Sequence, residues 1–124
     1  MSDAKVTIFA EKLAEITDAA RRALEKTAAV IRTEIVQAQV IPRKDGILQH
    51  NTSPDFSQSA EGHVEIASST PYARRLYYHP EYNFSKEENP NAGAEWFAPW
   101  AEGGDRENVA ATTFAVLFKR EAGL

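Results

Sequence analysis

The first third of the chain has hydrophobic residues at helical intervals. From residue 4 to about residue 38, apolar positions recur every three or four residues, and charged side chains fill most of the others. This pattern predicts one long amphipathic helix, with Ser2 and Asp3 as candidate caps. Its apolar positions are Phe9, Leu13, Ile16, Ala20, Leu24, Ala28, Ile31 and Ile35.

A helix of that length is too long for a compact domain of this chain. About 35 helical residues span roughly 50 Å, whereas the radius of gyration expected for a compact chain of this size is about 14 Å. The helix would therefore bend, end early or extend beyond its own domain. An extending apolar stripe favours a homo-oligomer, and the alternative is a helix that ends near Arg32, before the β-branched residues that follow.

The middle of the chain changes to a two-residue period. Residues 42–46 (PRKDG) predict a turn, and residues 47–56 are polar and contain a proline, which is typical of an edge strand or a long loop. In residues 63–68, Val64 and Ile66 alternate with less apolar neighbours, which predicts a half-buried strand. We expect the two strands to pair antiparallel.

Two short helical segments are predicted after this strand. Thr70 and Pro71 are suited to the cap and first residue of a helix over residues 72–78. Residues 81–91 predict an exposed loop anchored by Tyr82 and Phe84. Residues 92–101 predict one or two helical turns that place Trp96 and Trp100 on one face.

The end of the chain predicts a last helix. Asp105 is a candidate cap, and Val109, Thr113 and Val116 follow at helical spacing, although the β-branched residues within 112–118 leave a closing strand as the alternative. Together the elements predict a single α+β domain over residues 1–124. A long N-terminal helix packs on a small antiparallel sheet, followed by short helices and a C-terminal helix or closing strand.

Residues 68–104 form the most distinctive stretch. They hold all four Tyr and both Trp of the chain, together with two adjacent Arg. Tyr, Trp and Arg dominate binding energy at protein interfaces, and the same rings also fill cores. We therefore expect an aromatic set that serves partly as core and partly as interface: Tyr72, Arg74, Arg75, Tyr77, Tyr78, Trp96, Phe97 and Trp100.

The charge and composition of the chain argue against several classes of function. The 124 residues carry a net charge of -4 and no Cys, so disulfides and thiolate metal sites are excluded. An acidic chain is a poor general nucleic-acid binder. The Arg74–Arg75 pair between tyrosines is the best nucleic-acid signal, although two arginines are a small footprint. No apolar run approaches a membrane span or a signal peptide, which predicts a soluble, intracellular protein.

Catalytic patterns are missing from the sequence. His50, His63 and His79 lie in different predicted elements without metal-ligand spacing, and no phosphate-binding glycine loop or nucleophile elbow occurs. We predict no metal site and no cofactor. Two alternatives stay open: a hydrolase that uses Glu61 and Glu65, and a small ligand- or carbohydrate-binding module with Trp96 and Trp100 as platforms.

Three segments in order resemble a known family. The succession PRKDGILQHNTS, GHVEIASSTPYARRLYYHPEYNF and NPNAGAEWF resembles the minor capsid proteins of tailed bacteriophages and prophages, small neck-region proteins encoded between the capsid and tail genes. The resemblance covers roughly residues 40–100. The matching residues are Pro42, Gly46 and Leu48; Pro71, Tyr72, Ala73, Arg74, Tyr77 and Tyr78; Asn89, Pro90 and Ala92; and Trp96 and Phe97.

This resemblance implies a structural virion protein of the head-tail connector, similar to tail-completion or head-tail joining proteins. It implies an α+β subunit without enzyme activity that forms a ring, a hexamer in the assembled neck, and contacts adjacent connector or tail proteins. The protein would occupy the bacterial host cytoplasm before assembly and the virion afterwards. The family commonly continues into a basic stretch after Trp-Phe, whereas this chain continues with APWAEGGDREN, which argues against DNA contact in the channel.

Overall fold

The computed structural model describes residues 4–9, 17–42, 47–87 and 89–123. Its class is the predicted one: α+β, with the long helix packed on a small antiparallel sheet and a helix at the C-terminal end. Single 3-10 turns occur at Ser59–Glu61 and Ala98–Trp100. The helices and strands are β1 (Ala4–Phe9), α1 (Asp18–Gln37), α2 (Ile47–His50), β2 (Thr52–Asp55), β3 (Val64–Ser68), α3 (Ala73–Tyr77) and α4 (Val109–Glu121).

The prediction of one helix from residue 4 was wrong. Residues 4–9 form β1, and α1 begins at Asp18 and has 20 residues, about 30 Å, so the overhang expected from the longer helix does not arise. The first segment, AKVTIF, also satisfies a two-residue period, with Ala4 and Val6 buried and Lys5 and Thr7 exposed. A short segment can satisfy both the helical period and the two-residue period of a strand. Pairing with β3 makes residues 4–9 a strand.

Thr17 caps α1 where Ser2 and Asp3 were expected to cap it. The Thr17 hydroxyl accepts a hydrogen bond from the backbone N–H of Ala20 at 3.1 Å. Ser2 and Asp3 lie outside the described residues. The helix continues past Arg32 to Gln37, and its buried stripe includes four of the five predicted apolar positions that lie within α1. The buried residues are Ala23, Leu24, Thr27, Ala28, Ile31 and Ile35.

The sheet has the strand order β1-β3-β2, with both pairings antiparallel. The predicted strand at residues 63–68 is its centre, and Val64, Ile66 and Ser68 face the core. The prediction of an edge strand or a long loop over residues 47–56 is confirmed as an edge strand only for β2, where Pro54 pairs with Ile66, and residues 47–50 form helix α2, which was not predicted. The predicted antiparallel pairing of these two strands is confirmed as well. Most of the predicted turn at residues 42–46 lies outside the described residues.

The C-terminal half confirms the helices and corrects their caps. Helix α3 lies within the predicted range, but the Thr70 hydroxyl is buried without a hydrogen-bond partner among the described residues and does not cap it. Helix α4 excludes the closing-strand alternative. Asp105 does not cap α4, which begins after Asn108. Its last turn carries Lys119 and Arg120 as expected.

Helix α4 packs along α1, and ion pairs join its C-terminal end to α1. Glu121 accepts hydrogen bonds from Arg22, at 2.8 Å, and from Lys26, and these ion pairs lower the pKa of the Glu121 carboxyl, Lys26 having the larger effect. Phe114 packs against a small buried cluster that contains Leu24 and Val64. Helix α4 contains no fully buried residue.

Candidate functional site: an Arg and Tyr surface over an aromatic core

The eight residues of the aromatic set divide into a buried half and an exposed half. Tyr77, Trp96, Phe97 and Trp100 belong to the main core cluster. Tyr72 and Tyr78 are 40% and 49% exposed, and Arg74 and Arg75 are exposed beside them. One face of α3, which carries Ala73 and Tyr77, meets the core, and the other face is exposed to solvent. We call the exposed half, Tyr72, Arg74, Arg75 and Tyr78, the Arg-Tyr surface.

The buried half is centred on Tyr77 and Trp96. Their ring centroids are 4.7 Å apart at 82°, an edge-to-face contact, and Phe97 lies 5.8 Å from Tyr77. The backbone N–H of Glu95 donates to the carbonyl of Tyr77 at 3.0 Å, which fixes this segment on α3. Burial raises the pKa of Tyr77 to about 12. The phenol therefore stays neutral at physiological pH and acts as core.

A buried hydrogen-bond network joins Trp96 to the sheet. Its indole N–H donates to the Ser68 hydroxyl at 3.2 Å, and the hydroxyls of Ser68 and Thr52 are 2.7 Å apart. The Thr52 hydroxyl lies 2.8 Å from the carbonyl of Leu48. The Trp96 indole and the hydroxyls of Ser68 and Thr52 thereby each have a hydrogen-bond partner. A buried polar group needs such a partner if its burial is not to cost much stability.

The second Trp is held by a carboxylate on α1. Glu34 accepts hydrogen bonds from the Trp100 indole and from Arg106, both at 2.7 Å. Arg106, and then Trp100, lower the pKa of the Glu34 carboxyl, and they outweigh the opposing effect of burial. The segment around Trp100 is thus fastened to the C-terminal part of α1. The predicted helical turn is a 3-10 turn that includes Trp100 but not Trp96.

The Asn-Pro-Asn segment has a role that the sequence analysis missed. Asn89 is buried and donates to the carbonyl of Ile41 at 2.7 Å and to the Gln49 side chain at 3.0 Å. Asn91 donates from its side chain to the carbonyl of Ala38 at 2.9 Å. These bonds attach the loop to the segment that follows α1. Two asparagines around a proline were the available signal, because a short amide side chain readily pairs with nearby backbone.

The exposed half continues into a cluster around Tyr82. Arg75 donates from Nε to the Tyr82 hydroxyl at 3.1 Å, and its guanidinium lies 5.9 Å from the centre of that ring. His79 stacks on Tyr82 at 4.7 Å and is 2.7 Å from Glu81. That contact lowers the pKa of the Glu81 carboxyl. Tyr82 and Phe84 are half-buried, as expected of loop anchors.

A groove of about 790 Å³ runs between α3 and this loop. Arg75 and Leu76 form one wall, and Tyr82 and Phe84 form the other. A second depression of about 620 Å³ lies beside it, between Arg74 and Tyr78. Within the described residues neither Arg74 nor Arg75 forms an ion pair with a carboxylate. The Arg-Tyr surface therefore offers two cations and two phenol rings to a partner.

Of the catalytic and metal candidates, Glu65 and His63 are in contact. Glu65 pairs with His63 at 2.8 Å and with Lys5 at 3.3 Å. Its burial favours the neutral form, but His63 and Lys5 outweigh that effect and lower the pKa of the Glu65 carboxyl. Glu61 is exposed in the 3-10 turn that precedes β3. No group of three or more metal-ligating side chains occurs among the described residues.

Comparisons with protein families, with curated proteins and with solved structures found no match for this chain. In the part of the chain that the structure describes, no helix combines the length and the apolar character needed to cross a membrane.

Proposed function

We propose that this protein is a non-enzymatic structural subunit of the head-tail connector of a tailed phage or prophage, acting in virion assembly as a tail-completion or head-tail joining protein. The observation that carries the proposal is the Arg-Tyr surface. Two arginines on α3, which pair with no carboxylate among the described residues, lie beside two exposed tyrosines that flank this helix, a composition suited to a protein interface.

The resemblance supports the same function through the placement of its motif residues. Tyr77, Trp96 and Phe97 lie in the core, and Asn89 attaches the loop to the chain after α1. Tyr72, Arg74 and Tyr78 lie on the surface. One group of motif residues maintains the fold and the other is available to neighbouring proteins, which is the division that a connector subunit needs.

The ligand-module alternative is not carried further. It depends on Trp96 and Trp100 as open platforms, but these side chains are only 2% and 7% exposed. Stacking on a ligand needs an accessible ring face. The exposed rings of the segment belong instead to the Arg-Tyr surface.

Self-association is the first part of the proposal to test. We expect light scattering after size exclusion to give a mass that rises with protein concentration toward a discrete ring. The double variant Arg74→Ala/Tyr78→Ala should remain folded and stay at a lower mass at every concentration. Arg21→Ala, which changes an exposed arginine on α1, is the matched control.

Virion assembly gives the decisive test. A prophage that lacks this gene should, on induction, accumulate filled heads and free tails that electron microscopy shows as separate particles. The wild-type gene and Arg21→Ala should restore joined virions, and Arg74→Ala/Tyr78→Ala should not. Normal virions without the gene, or a gene neighbourhood without capsid and tail genes, would rule out the proposed role.

A further inference from the structure

The two edges of the sheet differ in their capacity to accept another strand. An edge strand carries backbone N–H and C=O groups that point away from the sheet, and natural proteins usually block them. The β2 edge is blocked: Pro54 has no N–H, and the carbonyl of Thr52 accepts a hydrogen bond from Arg32 at 2.9 Å. The β2 strand also has only four residues.

The β1 edge lacks both a proline and a side-chain hydrogen bond to its carbonyls among the described residues, and its pairing with β3 is regular from Ala4 to Thr7, before a bulge between Thr7 and Phe9. Its six residues, AKVTIF, contain no Pro and no Gly, and they pair with β3 on one side only. Lys5, its single charged residue, pairs with Glu65 on β3, so that its ammonium lies back over the sheet. Across the described residues, no backbone hydrogen bond reaches β1 except those from β3.

A groove of about 420 Å³ follows this open edge. Four consecutive residues of β1 line it: Lys5, Val6, Thr7 and Ile8. Side chains alternate between the two faces of a strand, so a pocket on one face is lined by every second residue. Lining by consecutive residues places the groove along the strand's edge, where the backbone is accessible. Because β3 occupies one edge, this is the outer one.

The opposite wall of the groove selects the occupant. It is formed by Trp100, Ala101, Glu102, Glu107 and Ala110. Glu102 and Glu107 are exposed carboxylates, and no hydrogen bond joins this wall to β1 among the residues described. A groove that follows the edge of a strand is suited to an extended chain that pairs with that edge. Two carboxylates on the wall favour a chain that carries basic residues.

We propose that the outer edge of β1 binds an extended, basic segment of a partner protein, which adds to the sheet as a fourth strand. Backbone hydrogen bonds to β1 hold the segment, and Glu102 and Glu107 select its Lys or Arg residues. This inference rests on the β1 edge alone and holds whether or not the connector role is correct. The Arg-Tyr surface is a separate site with the opposite charge.

A synthetic strand is the probe. We would measure fluorescence anisotropy of a labelled peptide of about six residues that alternates Lys and Val, and expect a dissociation constant below about 1 mM. The same peptide with N-methyl groups on alternate amides should not bind, because it lacks the donors that pair with an edge. A Glu-Val peptide should bind more weakly. Equal binding of all three, or of none, would overturn the proposal.

Amide hydrogen exchange locates the peptide. Residues 4–8 should exchange measurably faster than β3 in the free protein and slow down when the Lys-Val peptide is added. Protection elsewhere, or full protection of β1 before the peptide is added, would contradict an open edge. Protection that rises with protein concentration alone, together with a dimeric mass, would identify a second copy as the occupant and overturn the partner assignment.

Charge variants test the wall. Glu102→Gln/Glu107→Gln keeps the acceptor that Glu107 offers to the N–H of Gly103 and removes both charges. It should weaken binding of the Lys-Val peptide about fivefold, with no effect on the Glu-Val peptide beyond a modest gain. Glu61→Gln/Glu87→Gln, an equal charge change at other exposed positions, is the control. Equal loss in both variants would refute a role for the wall.

Discussion

The buried and exposed halves of the aromatic set both contain tyrosine, and their tyrosines lie in opposite environments. Tyr77 is 8% exposed and its neighbour Tyr78 is 49% exposed, although their ring centroids are only 5.1 Å apart. The difference follows from the helix. Ala73 and Tyr77 are four residues apart and share the face of α3 that meets Trp96 and Phe97, whereas Tyr78 follows the end of the helix as its C-cap. Position relative to α3, and not residue type, decides which of the two tyrosines serves the fold.

The two halves should therefore respond differently to substitution. Changes in the buried half should lower the free energy of unfolding and affect association only through folding. Changes in the exposed half should leave the free energy of unfolding nearly constant and alter association. Four predictions test this division, from the largest effect on stability to the smallest.

Trp96→Ala should have the largest effect. It leaves a cavity beside Tyr77 and Phe97 and removes the hydrogen bond to Ser68, so we expect a loss of about 3–5 kcal/mol in urea unfolding. Trp96→Phe keeps a ring and loses mainly the indole N–H, and should cost roughly 1–2 kcal/mol. A smaller loss of unfolding free energy for Trp96→Ala than for Trp96→Phe would contradict the assignment of Trp96 to the core.

Gly104→Ala should have the next largest effect. A Cβ at Gly104 would overlap the carbonyl oxygens of Ala98 and Pro99, so the backbone around Trp100 must shift, at a cost of about 1–3 kcal/mol. Gly93→Ala is the matched control, because a Cβ at Gly93 meets no atom within 4 Å. Comparable losses of unfolding free energy for both variants would show that the close approach at Gly104 does not matter.

The Glu34 carboxylate should make a smaller, pH-dependent contribution. Its pKa is lowered in the folded state, first by Arg106, so its contribution is present above the unfolded pKa and is lost as the pH falls through the folded pKa. The Glu34 side chain is 27% exposed and therefore partly screened by solvent, so we expect about 1 kcal/mol or less. The difference in unfolding free energy between the wild type and Glu34→Gln should be largest near neutral pH and should shrink as the pH falls through the lowered pKa of the folded state. A gap that widens on acidification would reverse the assigned sign.

Arg74→Ala/Tyr78→Ala should have the smallest effect on stability. Both side chains are exposed, so each substitution should change the free energy of unfolding by no more than about 0.5 kcal/mol. The light-scattering mass and virion assembly should nevertheless change, as proposed above. A large loss of stability in this variant would place the Arg-Tyr surface within the folding core and remove the distinction between the two halves.

Several features of the fold were predictable because they depend on local patterns. The stripe from Leu24 to Ile35 matches the helical period over enough residues to exclude a strand, and Val64 and Ile66 alternate with less apolar neighbours as a strand requires. Pro54 marked an edge strand because proline cannot donate within a sheet. In β1 the same approach failed, since six residues with apolar positions at both spacings do not distinguish a strand from a helix start.

The candidate site was predictable only as a set of residue types. The concentration of Tyr, Trp and Arg in residues 68–104 identified the right stretch, but both core and interface require these side chains. The network of Glu34, Trp100 and Arg106 joins residues up to 72 positions apart, and no local pattern encodes it. The caps expected at Thr70 and Asp105 were also wrong, since α3 begins after Tyr72 and α4 begins after Asn108.

The sequence by itself determined the α+β class, the central strand, the amphipathic part of α1 and the stretch that carries the Arg-Tyr surface, because each depends on spacing within a few turns of chain. The tertiary structure decided that residues 4–9 form a strand, which aromatic rings are enclosed, and which sheet edge no other described strand covers. These properties depend on contacts between distant segments, such as the pairing of Ala4 with Ser68 and of Trp100 with Glu34. Burial and edge exposure are set by such long-range contacts, which a local pattern does not contain.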